Sequence, residues 1–447
     1  MFRFPTWRVS ALALAVAATP LLARDNPATP PPPATTGPLA SIDLPSLHID
    51  APDPSAIRDG EWWYVFTTGA GINVRRTRDF VTFERLPTVF REDVPAWGKA
   101  LVPRAGTMWA PDIGKLGDRY YLVYSLSSWG SQQSAMGFAT TPTLDPADPR
   151  FEWTDHGLLL DSVPGRDNFN AIDGALVNDA SGAPWLVWGS YWDGIFVTRL
   201  DPETGRVIDP AQRTRVADEG GVIEGPQIAF RDGWYYLFAS YGEGVGYHVR
   251  VGRSREITGP YLDRQGRNMV DGGGTALTTP ATGFAGPGHH GLALGTPRGD
   301  LLLCHVFSRF SRDLHVAPLH WMRDGWPVAG EPQARPGKPI ADLREHLVRT
   351  RWVISVDGAN IGHGGFFTIT LRPDGTLRSS NAASDTNRGR WTLEGNELSL
   401  HWPNPSAPGG AWIDTMVVAP DGSYLAGRNQ RDLDVRGVPE STVTWPR

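Results

Sequence analysis

A chain of 447 residues can bury a large core, and its length favours more than one domain. Its formal net charge of −6 leaves no basic footprint for nucleic acid, and no apolar run approaches the roughly 18 residues of a membrane span. The 51 glycines, 39 prolines and 18 tryptophans fit many short strands joined by turns, with aromatics in β-structured cores or on sugar-stacking faces, while a lone cysteine, Cys304 in an apolar run, excludes an internal disulfide.

In chain order, Arg3 and Arg8 precede the apolar run Ala11 to Ala18, with small residues at Val16-Ala17-Ala18 and Leu22-Ala23. This is the pattern of an export signal over residues 1–23, so the product is expected outside the cytoplasm, periplasmic or extracellular. Residues 24–41, with Pro30 to Pro33, predict an extended linker without a fold of its own.

Residues 42–335 repeat one local design, in which a polar, mostly acidic residue at a bend is followed about ten residues later by an aromatic-rich or apolar strand. The pairs are Asp53 with Trp62 to Phe66, Asp112 with Tyr120 to Tyr124, Asp173 with Trp185 to Trp188, Glu224 with Trp234 to Phe238, and His289 with Leu301 to Cys304. Turn signals such as Arg58-Asp59-Gly60 and Arg231-Asp232-Gly233 mark hairpins between them. A spacing of roughly 50 to 70 residues suits four-stranded blades with loop insertions. The prediction is a five-bladed β-propeller in which these five side chains converge on one mouth.

Gln333 to Pro339 is again rich in proline and glycine, and Ile340 to Arg349 is the one stretch that admits a helix. Over 345–447, alternating runs at Phe366 to Leu371, Gly389 to Leu393, Glu397 to Trp402 and Trp412 to Val418 are separated by turns such as Pro373-Asp374-Gly375. They predict a separate small antiparallel β domain, barrel or sandwich, so the fold class is all-β throughout. Whether its aromatics bind sugar or only pack stays open, with packing favoured.

Paired carboxyls are what glycosidic cleavage requires, one protonating the leaving oxygen and the other activating water or attacking directly. Asp53 precedes Pro54, Asp173 precedes Gly174, and Glu224 precedes Gly225-Pro226, each fixing a bend without a bulky competitor. One acidic residue at a turn is ordinary capping; three at one phase of a repeat indicate a site.

The strings Trp109-Ala110-Pro111-Asp112-Ile113, Asn170-Ala171-Ile172-Asp173, Ile223-Glu224-Gly225-Pro226 and Gly286-Pro287-Gly288-His289, in this order, resemble glycoside hydrolase family 43 and its α-L-arabinanase branch. Gly189-Ser190-Tyr191-Trp192-Asp193-Gly194 and Val251-Gly252-Arg253-Ser254 add to a resemblance covering about residues 45–325. It implies a five-bladed propeller acting with inversion on arabinan or another pentose-containing oligosaccharide, as a monomer. Asp53 matches the general base, Glu224 the general acid, and Asp173 the third carboxylate that orients the acid and raises its pKa. His289 matches the axial histidine that helps to hold a hydrated calcium ion.

Trp109, Trp129, Phe169, Asn170 and Trp192 are candidate substrate contacts, with Trp97 a further stacking candidate; His290 is placed at the pocket edge and His305 in packing. Three positions depart from the family pattern: Pro52 replaces a histidine before the base, Gly174 a proline and Gly225 an alanine. None removes a carboxylate, and the loss of the histidine bears on how the base is oriented. Exo-acting arabinofuranosidase or β-xylosidase activity, and a propeller that binds sugar without catalysis, are the alternatives. An invertase-like activity is disfavoured because no Asn-Asp-Pro-Asn-Gly-type segment occurs near the N-terminus.

Overall fold

The aromatic-rich runs form strands buried on both faces, because each blade is sandwiched between two others, and they therefore read as nearly continuous apolar stretches rather than alternating ones. The computed structural model describes residues 47–278, 285–308, 311–332, 335–356, 366–380 and 388–443; the export signal and the Pro-rich linker lie outside them.

Among the described residues, five four-stranded antiparallel sheets follow one another in the chain. The first holds β1 (Ser55–Asp59), β2 (Trp62–Thr67), β3 (Asn73–Thr77) and β4 (Glu84–Leu86). After the short helix α1 (Ala96–Leu101), the second holds β5 (Trp109–Leu116), β6 (Arg119–Leu126), β7 (Ser134–Thr141) and β8 (Thr154–Ser162). The third is β9 (Ala175–Asn178), β10 (Pro184–Trp188), β11 (Ile195–Arg199) and β12 (Arg213–Ala217), and the fourth β13 (Ile223–Arg231), β14 (Trp234–Tyr241), β15 (His248–Ser254) and β16 (Thr275–Ala276). The fifth is β17 (Ala285–Thr296), β18 (Gly299–Phe307), β19 (Arg312–Trp321) and β20 (Pro327–Ala329).

The first strands touch in a closed cycle, β1 to β5, β5 to β9, β9 to β13, β13 to β17 and β17 to β1, which makes them the inner wall of a five-bladed propeller. The segment before β1 ties the ring. Ala51 N–H donates to the Arg312 carbonyl at 2.9 Å and Leu314 N–H to the Ile49 carbonyl at 2.8 Å, so residues 49–51 lie along β19 of the last blade.

Helix α2 (Leu343–Arg349) lies within the stretch 340–349 expected to be helical, with the Asp342 carboxylate accepting from Glu345 N–H as its N-cap, whereas α1 lies where no helix is expected. Beyond it, β21 (Arg351–Val356), β22 (Phe366–Leu371), β23 (Thr376–Ser379), β24 (Arg388–Glu394), β25 (Glu397–Pro403), β26 (Ala411–Val418), β27 (Leu425–Asn429) and β28 (Asp434–Pro439) close into a barrel through the β21–β28 pairing. A barrel rather than a sandwich removes the open edges. Trp352, Leu371, Leu377, Leu398, Leu400 and Met416 belong to its core.

The barrel is docked tightly on the propeller. Met322 and Val328 of the last blade share a buried cluster with Val353, Val417, Tyr424, Ala426 and Val438 of the barrel. Buried Arg428 donates to the carbonyls of Ala276 and, at 3.0 Å, Pro327, and buried Arg436 donates to that of Ala329. These carbonyls belong to β16 and β20, the outer edges of the last two blades, so the barrel covers strand edges that would otherwise be open to pairing.

Candidate active site

Each inner strand enters through a residue in the left-handed region: Asp53 (φ 54°), Ala110 (φ 39°), Asp173 (φ 59°), Gly225 (φ 57°) and His289 (φ 42°). Four non-glycine residues held there in one ring mark a functional rim. The register also breaks at Trp109/Asp112, Glu224/Gln227 and Gly288/Gly291, and such bulges re-aim side chains next to sites.

This phase corrects one expectation. Position 110, an alanine, is the counterpart of Asp53 in the second blade, and Asp112 lies two residues further in. It does not line the mouth. Buried on the axis, it accepts from Ser55 Oγ at 2.9 Å, Gln227 Nε2 at 2.8 Å and Leu176 N–H at 3.1 Å, lashing four inner strands together.

The mouth is a cavity of about 540 Å³ that brings Asp53, Asp173, Glu224 and His289 together with Trp109, Trp129, Asn170 and Trp192. Trp129 is 87% exposed and its ring centroid lies 5.7 Å from that of Trp109, a two-ring platform; Trp192 is also exposed. Asn170 is buried with Oδ1 unpartnered among the protein atoms. Phe169 is not at the mouth: the extended chain turns it away from Asn170, and it packs edge-on against Trp188 at 4.8 Å inside the core. Trp97 is likewise elsewhere, donating to Asp155 at 3.0 Å beside Tyr124.

Asp53 is buried and held on every side. Thr68 Oγ donates to Oδ2, and Nδ1 of His289, Nδ1 of His305 and a nitrogen of Arg312 lie 3.4, 3.3 and 3.6 Å from Oδ1. Burial pushes its carboxyl up, but the combined effect of His289, His305 and Arg312 outweighs that and holds it far below the usual carboxylate range. His305 Nδ1 is 3.3 Å from both the backbone N–H and Oδ1 of Asp53; one neutral nitrogen serves only one of them, and donation to the ionised oxygen is the stronger bond. His305, read from sequence as packing, thus takes up the orienting task left open by Pro52. Pro52 itself accepts from Thr68 N–H at 3.0 Å, which sets Thr68 against Asp53.

Glu224 is half-buried, with Tyr247 O–H donating to Oε1 at 2.7 Å and Ser190 Oγ to Oε2 at 3.1 Å. Asp173 is buried beside it, accepting from Gly225 N–H at 3.1 Å, while its own N–H donates to Ser125 Oγ at 2.9 Å. Burial pushes the Asp173 carboxyl up, His289 pulls it down, and Glu224 and Asp53 raise it further, to about 7. Two carboxyls this close share protons as a pair. His289 moves the other way: burial disfavours its charge, yet Asp53, Asp173 and Glu224 together raise its pKa.

Sequence reasoning did not single out Thr68, Ser190, Tyr191, Glu243, Tyr247 or Arg312. Gly189 and Gly194 were the visible signal for the loop carrying Ser190 and Tyr191; that loop is tight enough to put Tyr191 and Trp192 both at positive φ, with Tyr191 O–H donating to Glu243 at 2.6 Å. Gly174 has a packing reason. A Cβ there would meet Met136, Val123 and Leu186 at 2.8, 2.9 and 3.2 Å, space that these larger neighbours occupy.

Beneath the mouth is a chamber of about 20 Å³, room for roughly one water-sized body, lined by Asp53, Asp112, Asp173, His289 and His290 among others. Both ring nitrogens of His290 are buried without a partner there. Three carboxylates and an orphaned imidazole suit a small cation, although no three His, Cys, Asp or Glu side chains among the described residues are grouped to ligate one directly.

The sequence model of Glycosyl hydrolases family 43 matches residues 42–327. The chain is 36% identical over 313 residues to the extracellular exo-α-(1→5)-L-arabinofuranosidase of Cellvibrio japonicus, covering 65% of this chain and 90% of that protein. It is 35% identical over 292 residues to extracellular endo-α-(1→5)-L-arabinanase 1 of Bacillus subtilis, covering 62% and 86%. The solved α-L-arabinanase of Cellvibrio cellulosa superposes with a TM-score of 0.61 at 35% identity, covering 64% of this chain and 96% of that one. An endo-1,5-α-L-arabinanase from Thermotoga petrophila shares the fold at 22% identity and a TM-score of 0.72 over 89% of this chain and 100% of that one, a likeness that reaches beyond the propeller. The chain belongs to glycosyl hydrolases family 43, as a glycoside hydrolase of its arabinanase and arabinofuranosidase branch.

Proposed function

We propose that the protein hydrolyses α-1,5-L-arabinofuranosidic linkages of arabinan or arabino-oligosaccharides with inversion, Glu224 being the acid and Asp53 the base. The observation that carries this is the division of labour among three carboxyls in one mouth. Asp53, hydrogen-bonded by Thr68 and flanked within 3.6 Å by nitrogens of His289, His305 and Arg312, stays ionised and can accept a proton from water. Glu224, half-buried and oriented by Tyr247 and Ser190, faces the cavity and can deliver a proton to the leaving oxygen. Asp173, buried against Glu224, keeps the pair from carrying two negative charges below about pH 7. Trp109, Trp129 and Trp192 offer faces for sugar rings, and Asn170 Oδ1 an acceptor for a hydroxyl. Proton NMR of the first product from linear arabinan checks the stereochemistry, and the product lengths separate internal from terminal cleavage; retention of configuration, or no release of arabinose oligomers, overturns the reading.

His289 is proposed to help hold a hydrated calcium ion at the axis, with water as most of its ligands, as suits an oxygen-preferring cation. When bound, the ion supplies positive charge beneath the carboxyls. A chelator is expected to lower the melting temperature and calcium to restore it, with His289→Ala blunting the response; a melting temperature indifferent to both removes the ion. The export signal, and relatives named extracellular, support a site of action outside the cytoplasm, periplasmic or extracellular, which cell fractionation tests. No helix among the described residues is long and apolar enough to cross a membrane.

A further inference from the structure

Small eight-stranded barrels either fill their interior with side chains or leave room for one small ligand. This barrel does both. One end is packed with Trp352, Leu371, Leu377, Leu398 and Met416, whereas the end where β25 runs into β26 leaves a cavity of about 360 Å³, within the range of small-molecule sites. Its lining has a definite chemistry. Trp402 and Trp412 are direct cross-strand partners, both half-buried, and Phe367 meets Trp402 edge-to-face at 5.7 Å.

Among these rings sits Asp414, only 5% exposed, accepting from Trp402 Nε1 at 2.6 Å. Asn429 is its cross-strand neighbour, and the Arg431 guanidinium lies over the Trp412 ring at 4.5 Å. A carboxylate in a half-apolar cavity is costly for a barrel that serves only as a prop. Here burial holds the Asp414 carboxyl up at about 6. What such a lining recognises is a molecule with apolar C–H faces and several hydroxyls: indoles for the faces, a carboxylate to accept from hydroxyls, and an amide and a guanidinium to donate to ring and hydroxyl oxygens.

We propose that this end of the barrel is a second carbohydrate site, taking a short stretch of pentose oligosaccharide through Trp402, Trp412, Asp414, Asn429 and Arg431. The choice of pentose rests on the arabinan reading of the propeller; the site itself rests on the barrel's own residues. Two sugar sites on one chain would hold a polymer by avidity, which suits a polysaccharide substrate.

Calorimetric titration of the full chain carrying Glu224→Gln, with arabinohexaose as the probe, is the test. About two equivalents are expected per chain. Adding Trp412→Ala, or the nearly isosteric Asp414→Asn, is expected to leave about one, and that residual equivalent shows that the protein has folded. One equivalent in the Glu224→Gln protein that survives both second substitutions, or two that persist in both double variants, overturns the barrel site. Whether wild-type protein cleaves linear arabinan is measured separately, so failure of the propeller reading is distinguishable from failure of this one.

Discussion

Glu224 and Asp53 differ in what their loss should do. Glu224→Gln keeps an acceptor for Tyr247 and reverses the other contact, its amide N–H donating to Ser190 Oγ, but cannot donate an acidic proton, so turnover on arabinan should fall by about 10² to 10⁴, with much smaller losses on aryl glycosides whose leaving groups need little protonation. Asp53→Ala removes activation of water, which every substrate needs, so its losses should be similar for good and poor leaving groups. Steady-state rates across a leaving-group series separate the two; equal slopes would reverse or cancel the assignments.

Asp173 makes a prediction about stability. In the folded chain Asp173 titrates together with Glu224, and the pair keeps a proton up to about pH 7, against 3.8 for an ordinary aspartate. Between those values the unfolded chain binds fewer protons, so stability falls as pH rises from about 4 to 7, by an amount on the order of a few kcal/mol. Asp173→Asn should therefore melt several degrees above wild type at pH 8, with the gap closing toward pH 4. Equal melting curves at pH 8 would show that Asp173 is not held protonated by the fold.

The inner strands position these groups through close approaches that only glycine permits. A Cβ on Gly288 would stand 2.3 Å from the ring of Tyr247, the residue that holds Glu224, whereas Gly60 at a hairpin tip has open space. Gly288→Ala should therefore push Tyr247 off Glu224 and cut turnover at least tenfold with a smaller change in substrate binding. If kcat is unchanged and only KM rises, Tyr247 is not an orienting residue. The hairpins were readable because turn chemistry is local: Asp232 and Gly233, both at positive φ, make the primed turn that an Asp-Gly pair signals. The phase of the inner strand was not, because matching acid to acid aligned Asp112 with Asp53, while the bend belongs to the residue before proline in both, Ala110 and Asp53.

At the scale of the molecule, the barrel and the last blade form one buried electrostatic unit. Arg436 bonds both oxygens of Asp434 at 2.9 and 3.0 Å, donates to Ala329, and lies 3.8 Å from Glu331. Arg436→Met leaves two buried carboxylates without their cation, a loss of about 3 to 5 kcal/mol. Urea unfolding should show an earlier midpoint and, where the docking fails first, separate transitions for barrel and propeller. An unchanged midpoint would mean that the apolar cluster around Val328 and Tyr424 alone carries the docking.

Sequence alone determined what is periodic or local: five repeats, their hairpins, helix α2, the β character of both halves, and the three carboxyls at the bends. It did not decide which half-buried aromatics face the mouth, since Phe169 and Asn170 are neighbours in sequence and opposites in space. Nor could it reveal that Thr68, His305 and Arg312, 15 to 259 residues from Asp53, converge on one carboxylate, or that the barrel is sealed onto the propeller by arginines reaching backbone carbonyls of two blades. Those contacts depend on closing the ring and docking the barrel, and until the chain is closed the partners are far apart and carry no shared pattern.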